Sequence, residues 1–203
     1  LVDAGYRTGY FGKWHVERSN DLNRFGWQVA DTNPKARAKQ NAETEFSLEK
    51  HIEGPEGYRT SILYGVNDRS PEDRMCGLTT SAASEFLSDA LSGDDPWCCF
   101  ASVIEPHDPF VCGEEAFSLY SVDDIELQPN VSDDLAGRPG LYRKAARIFA
   151  HLTDREKKEA AACYYAMVTE IDQQFGKLID QVEAAGQLEN TIIILTSDHG
   201  ELL

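Results

Sequence analysis

Apolar and polar positions change period several times along the chain, and each change marks an element. Residues 8–14 (TGYFGKW) are rich in aromatics and follow Ala4-Gly5, a helix-ending pair, so a strand is predicted there. Residues 97–104 (WCCFASVI) form an unbroken apolar run after the turn residues Asp94-Asp95-Pro96, which predicts a second strand, central in its sheet. Residues 191–196 (TIIILT) are β-branched and uniformly apolar, the pattern of a strand buried on both faces. The helical period appears from Pro71 to about Leu91, where Met75, Leu78, Ala82, Phe86 and Ala90 share a face. A longer helix is predicted from Thr153 or Asp154 to about Ala185. Thr153 and Glu156 form a capping box at its start, and Gly186 ends it. Tyr164, Met167, Ile171, Phe175, Leu178 and Val182 make its apolar stripe. A helix passing through a short turn to a fully buried strand is a unit of an α/β fold, with a mostly parallel sheet sandwiched by helices. Residues 26–65 and 111–140 are polar and broken by Pro and Gly, so they are predicted to be surface excursions rather than a second domain.

Composition narrows the function classes. Hydrophobic residues at 41% supply a core, but 19 Lys+Arg against 35 Asp+Glu leave a net charge of −16. Such a surface repels phosphate backbones, and no nucleic-acid partner is expected. A small anionic ligand stays compatible, because surface fields fade over ~8 Å at physiological salt and a local cation can dominate. No apolar run approaches a membrane span, and no membrane partner is expected. The chain opens at Leu1, without Met or a signal-peptide pattern, and stops just beyond its most apolar strand. Both ends read as cut, so an internal segment of a longer protein is expected. Five cysteines (Cys76, Cys98, Cys99, Cys112, Cys163) lack the spacing of a disulfide framework or zinc site. Buried free thiols are expected, which leans towards a reducing compartment and the cytoplasm.

Candidate chemistry collects where the predicted strands end. The first gives Lys13-Trp14-His15, the second Glu105-Pro106-His107-Asp108-Pro109, the third Ser197-Asp198-His199-Gly200-Glu201. Ligands of open α/β sheets bind outside the carboxyl ends of strands, so these clusters are expected to meet in one cleft. Each also has a plainer reading. Lys13 and His15 suit a solvated strand end, His107 a turn held by two prolines, and Asp198 the cap of a following helix. As a pair, Asp198 and His199 suit a hard or borderline divalent cation. His51 and His151 lie in polar, non-strand contexts and are expected at the surface.

Three stretches carry a family resemblance. GYRTGYFGKWH (residues 5–15) resembles the signature segment of the formylglycine-dependent sulfatases, and PHDPF (residues 106–110) their middle substrate-binding loop. Residues 164–201, from YYAMVTEID to SDHGE, resemble the long helix, strand and metal loop that follow. Ser-Asp-His-Gly after a strand is similar across the whole alkaline phosphatase superfamily. The first string is more specific, pointing to sulfatases and the closely similar phosphonate monoester hydrolases. The resemblance implies that all 203 residues are the central part of one sulfatase catalytic domain with an alkaline phosphatase-like fold, truncated at both ends.

It also implies roles. Lys13 matches the lysine bridging the sulfate and the formylglycine, His15 the histidine beside the formylglycine hydroxyls, and His107 the histidine that contacts the ester oxygen or the sulfate. Asp198 and His199 match the late pair of metal ligands. The implied cofactors are a divalent metal (Ca²⁺ first, then Mg²⁺ or Mn²⁺) and a formylglycine expected outside this segment. No cysteine here starts a Cys-x-Pro/Ala-x-Arg motif, so the segment by itself is expected to be inactive. The implied reaction is hydrolysis of a small-molecule sulfate ester, in a full chain with room for an oligomer. Two other readings stand beside it: a phosphonate or phosphate diester hydrolase of the same superfamily, and a non-catalytic anion-binding homologue.

Overall fold

A computed structural model describes residues 1–19, 21–34, 45–52 and 60–201. The chain divides into two compact units: Leu1–Ala42 with Ser70–Glu105 and Glu170–Asp198, and Glu43–Arg69 with Pro106–Thr169 and His199–Leu203.

The first unit is built on a parallel sheet. Strand β1 (Arg7–Gly12) lies between β2 (Val29–Asp31) and β5 (Trp97–Ser102), in the order β2-β1-β5. The β1–β5 ladder is in register from Arg7 opposite Trp97 to Gly12 opposite Ser102. Helix α1 (Met75–Ala90) packs on this sheet. Ser70 caps the turn before it, accepting the Glu72 N–H at 3.3 Å, and Pro71 occupies the first helical position, where its missing N–H costs nothing. The expected apolar face is the buried one: Ala82, Ala83, Phe86, Leu87 and Ala90 pack with Phe11 and Val182. On the other side of β1, Tyr10 stacks on Phe100 at 5.0 Å and meets Trp14 and Trp27 edge-on at 5.2 and 5.3 Å.

The second unit holds its own sheet. Strands β3 (Phe46–Ile52) and β4 (Ser61–Asn67) are antiparallel, and β4 pairs in parallel with β6 (Phe110–Gly113). Short helix α2 (Glu114–Phe117) and helix α3 (Gly140–Phe149) follow. Leu63, Tyr64, Val66, Phe110, Cys112 and Cys163 share one core. Helix α4 (Asp154–Ala184) contributes its first half to this unit and its second to the other. The capping box forms as expected. The Thr153 N–H donates to Glu156 Oε2 at 2.7 Å, and the Glu156 N–H to Thr153 Oγ1 at 3.2 Å.

Four local expectations are corrected. Residues 191–196 form no strand, and Ile192, Ile194 and Leu195 are exposed by 81–89%. A uniformly apolar run reports a preference for burial on two faces; a strand also needs a neighbour to complete its ladder, and none among the described residues pairs with it. For the same reason β5, expected to be central, is an edge strand of the described sheet. The polar stretches expected as excursions contain β3, β4 and β6, with Leu63, Tyr64, Val66 and Cys112 buried. Their polar residues face solvent in alternation along β3 and masked the strand signal. His51 is exposed as expected, but it sits within β3.

Candidate functional site

The carboxyl end of β1 is the most constructed part of the site. Gly12 has φ +93° and lies so close to β5 that a Cβ there would stand 2.1 Å from the Ser102 carbonyl oxygen. Only glycine suits both the left-handed backbone and the approach. The turn it permits lets the Lys13 N–H donate to that same oxygen at 2.7 Å. The Tyr10 hydroxyl donates to the Lys13 carbonyl, so both backbone polar groups of Lys13 are fixed while its side chain stays half-buried. Burial raises the Tyr10 pKa, a hydrogen bond involving Ser102 opposing it, which keeps the phenol a neutral donor. Trp14, half-buried, packs against Tyr10 and against Phe25 at 5.3 Å. His15 beyond it is exposed.

At the end of β5, Glu105 turns back onto α1. Its Oε1 accepts the Cys76 N–H at 3.0 Å, in the first turn of the helix, where the unpaired N–H groups and the helix dipole favour a carboxylate. Burial nonetheless raises the Glu105 pKa. Close by in sequence, Arg74 Nε stands 3.4 Å from Glu170 Oε1, with side chains only 8% and 3% exposed. The Cys76 thiol is pushed up to about 12, first by burial and then by Glu105 and Glu170. Burial likewise lifts Cys99 to about 12 and raises Cys98, and a hydrogen bond from Cys112 raises Cys163. None of these four is a ready thiolate nucleophile at neutral pH. All five cysteines are free, as expected, although Cys98 and Cys99 are only half-buried.

In the second unit, His107 is exposed. Its Nδ1 lies 2.8 Å from the Asp108 carbonyl oxygen and 2.9 Å from Asp108 Oδ1, which leaves Nε2 as the atom that can face a ligand. The structure thus brings Lys13 against the end of β5, and places His15 and Asp198 in the same unit as Lys13, with His107 and His199 in the other. Asp198 and His199 lie on exposed, irregular chain, where His199 Nδ1 is 2.8 Å from the Gly200 carbonyl oxygen. Among the described residues no group of three or more His, Cys, Asp or Glu is arranged to hold a metal ion. Asp198 and His199 are chemically suitable donors, but two do not make a shell of four to eight, so these residues alone do not fit a resident metal. Sequence reasoning passed over Tyr10 and Ser102, which position Lys13, and the buried Arg74–Glu170 pair. Lone polar residues inside apolar runs were the available signal.

The parallel sheet with helices packed on it is an alkaline phosphatase-like α/β fold. The phosphonate monoester hydrolase of Agrobacterium radiobacter superposes with a TM-score of 0.59 at 17% identity, over 93% of this chain and 44% of that one. The sulfatase family model matches residues 1–203, and the chain belongs to that family. Among curated relatives, it is 28% identical over 205 residues to the ulvan-active sulfatase of Formosa agariphila, covering 98% of this chain and 34% of that protein. It is 29% identical over 211 residues to the uncharacterized sulfatase YidJ of Escherichia coli K12, covering 99% and 40%. The chain therefore spans roughly a third to two-fifths of the length of these relatives.

Proposed function

We propose that this chain contributes the anion-holding part of a sulfuric ester hydrolase, with Lys13 as its central cation. The observation that carries the reading is the fixed Lys13 turn: Gly12, Ser102 and Tyr10 set its backbone at the carboxyl ends of two parallel strands. A lysine held there presents charge to a sulfate without reorganising, which is how a preorganised site stabilises negative charge developing in flight. His15, two residues after Lys13, is suited to proton transfer. His107, with Nδ1 engaged by Asp108, offers Nε2 to the oxygen of a leaving group. A formylglycine, when present, would supply the nucleophile; the five cysteines here stand outside its motif. Asp198 and His199 would give two donors to a divalent metal, Ca²⁺ first, whose remaining ligands would have to come from elsewhere in the complete protein. A small-molecule sulfate ester is the proposed substrate.

A second reading, hydrolysis of phosphonate or phosphate diesters, is favoured by the resemblance of the Asp198-His199 pair to the late metal-ligand pair of the phosphonate monoester hydrolases. The test is turnover of an aryl sulfate and a matched aryl phosphonate ester by the complete protein containing these residues. Lys13→Ala is expected to lower kcat/KM on the preferred substrate by ~10²-fold or more, the usual loss when one preorganised donor is removed. Unchanged turnover in Lys13→Ala would overturn the assignment; preference for the phosphonate would select the second reading.

A further inference from the structure

Charge is spread unevenly along this acidic chain. Residues 135–153 hold Arg138, Arg143, Lys144 and Arg147 and no carboxylate, although the chain has 35 Asp+Glu against 19 Lys+Arg. Helix α3 occupies the centre of this segment, and Ile148 fastens it to the core of its unit. At about 100° per residue, Leu141, Tyr142, Ala145, Ile148 and Phe149 fall within an arc of roughly 120°, and Arg143, Lys144 and Arg147 lie opposite. Among the described residues nothing covers the apolar arc: Leu141 is 74% exposed, Tyr142 56% and Phe149 41%. The cations are exposed too, and the Arg143 guanidinium donates to the Arg138 carbonyl, which ties the helix to the loop before it.

We propose that α3 docks on an anionic lipid surface, lying in the interface plane with its apolar arc inserted and its cations among the headgroup phosphates. A lipid interface takes both faces of such a helix at once; a hydrated polyanion would satisfy the cations and leave Leu141 and Phe149 in water. The net charge of −16 does not forbid contact, since at physiological salt its field fades over ~8 Å and the local cations govern the approach. This revises the expectation of no membrane partner, which rested on chain-wide totals and on the lack of a spanning segment. A helix of this kind lies on a membrane rather than crossing it.

Flotation of the complete protein containing these residues with vesicles of phosphatidylcholine, with and without phosphatidylserine, tests the proposal. Binding is expected only with phosphatidylserine and should weaken with added salt. Arg143→Glu with Arg147→Glu should lower partitioning by ~25-fold or more, at about fivefold per surface cation removed. Leu141→Ser with Tyr142→Ser should lower it by about tenfold while leaving the melting temperature unchanged, because both side chains are exposed. A Tyr142→Trp reporter should shift to the blue on anionic vesicles. No flotation, flotation undiminished in both double variants, or retention by a sulfated polysaccharide without vesicle binding would each overturn the proposal.

Discussion

Replacing Gly12 by alanine tests whether the Lys13 turn is as tightly built as its geometry implies. Two costs add. A left-handed φ of +93° is strained for any L side chain, by ~1–2 kcal/mol. The new methyl would also meet the Ser102 oxygen at 2.1 Å and Thr79 Cγ2 at 2.7 Å, so β1 and β5 must part. Overpacking of this kind costs ~1–3 kcal/mol, and the Lys13 N–H to Ser102 bond of 2.7 Å goes with it, worth about 1 kcal/mol. The expected total is about 3–6 kcal/mol. Gly186→Ala isolates the dihedral part: it has φ +69° and open space around a Cβ, so about 1–2 kcal/mol is expected. Urea denaturation followed by tryptophan emission is the assay, since Trp14, Trp27 and Trp97 all belong to the unit that contains both glycines. If the two variants share a midpoint, the close approach of β1 to β5 is not what holds Lys13, and the argument for a preorganised cation fails.

Two further outcomes follow from buried and paired charges. Arg74→Ala should destabilise by about 3–5 kcal/mol, because it leaves Glu170 buried without its cation, while joint replacement of Arg74 and Glu170 by Met should recover most of that loss in the same denaturation assay. The Glu72 carboxyl is lowered to about 2, first by its hydrogen bond with Lys177 and then by Ser70. A depressed folded-state pKa adds stability above the ordinary carboxylate range that disappears as pH falls towards about 2. The melting-temperature gap between the natural chain and Glu72→Gln should therefore close between about pH 4.5 and pH 2. With the Glu72 side chain 57% exposed, solvent screening keeps the gap small even at pH 7, and a gap independent of pH would refute the pairing.

Elements that bury one continuous face were legible in the sequence. The α1 stripe and the Thr153–Glu156 box each depend on neighbours within a few residues, so local spacing specifies them, whereas of the expected α4 stripe Met167 and Val182 are buried and the other four are half-buried. The strands were less legible, because pairing depends on residues far away. Residues 191–196 carry the strongest strand composition and pair with no described strand, whereas β3, with half its residues polar, is paired along its length. The site divides the same way. Lys13 and His107 could be picked out by type and position after a strand. What holds Lys13 could not, since Ser102 and Tyr10 act through a carbonyl and a hydroxyl whose meeting depends on the β1–β5 register.

That register also fixes an order of events during synthesis. Arg7 lies opposite Trp97, so β1 leaves the ribosome long before the strand that completes its ladder. At ~5–20 residues per second the wait lasts about 5–20 s, against microseconds for a hairpin such as β3–β4 to close once both its strands are out. Throughout that interval Tyr10 and Phe11 sit on an unfinished strand, where chaperone capture and wrong pairing compete with folding. The Lys13 turn comes late for the same reason. The oxygen that anchors its amide belongs to the last residue of β5, so this lysine acquires its place only when all of β5 has followed it out.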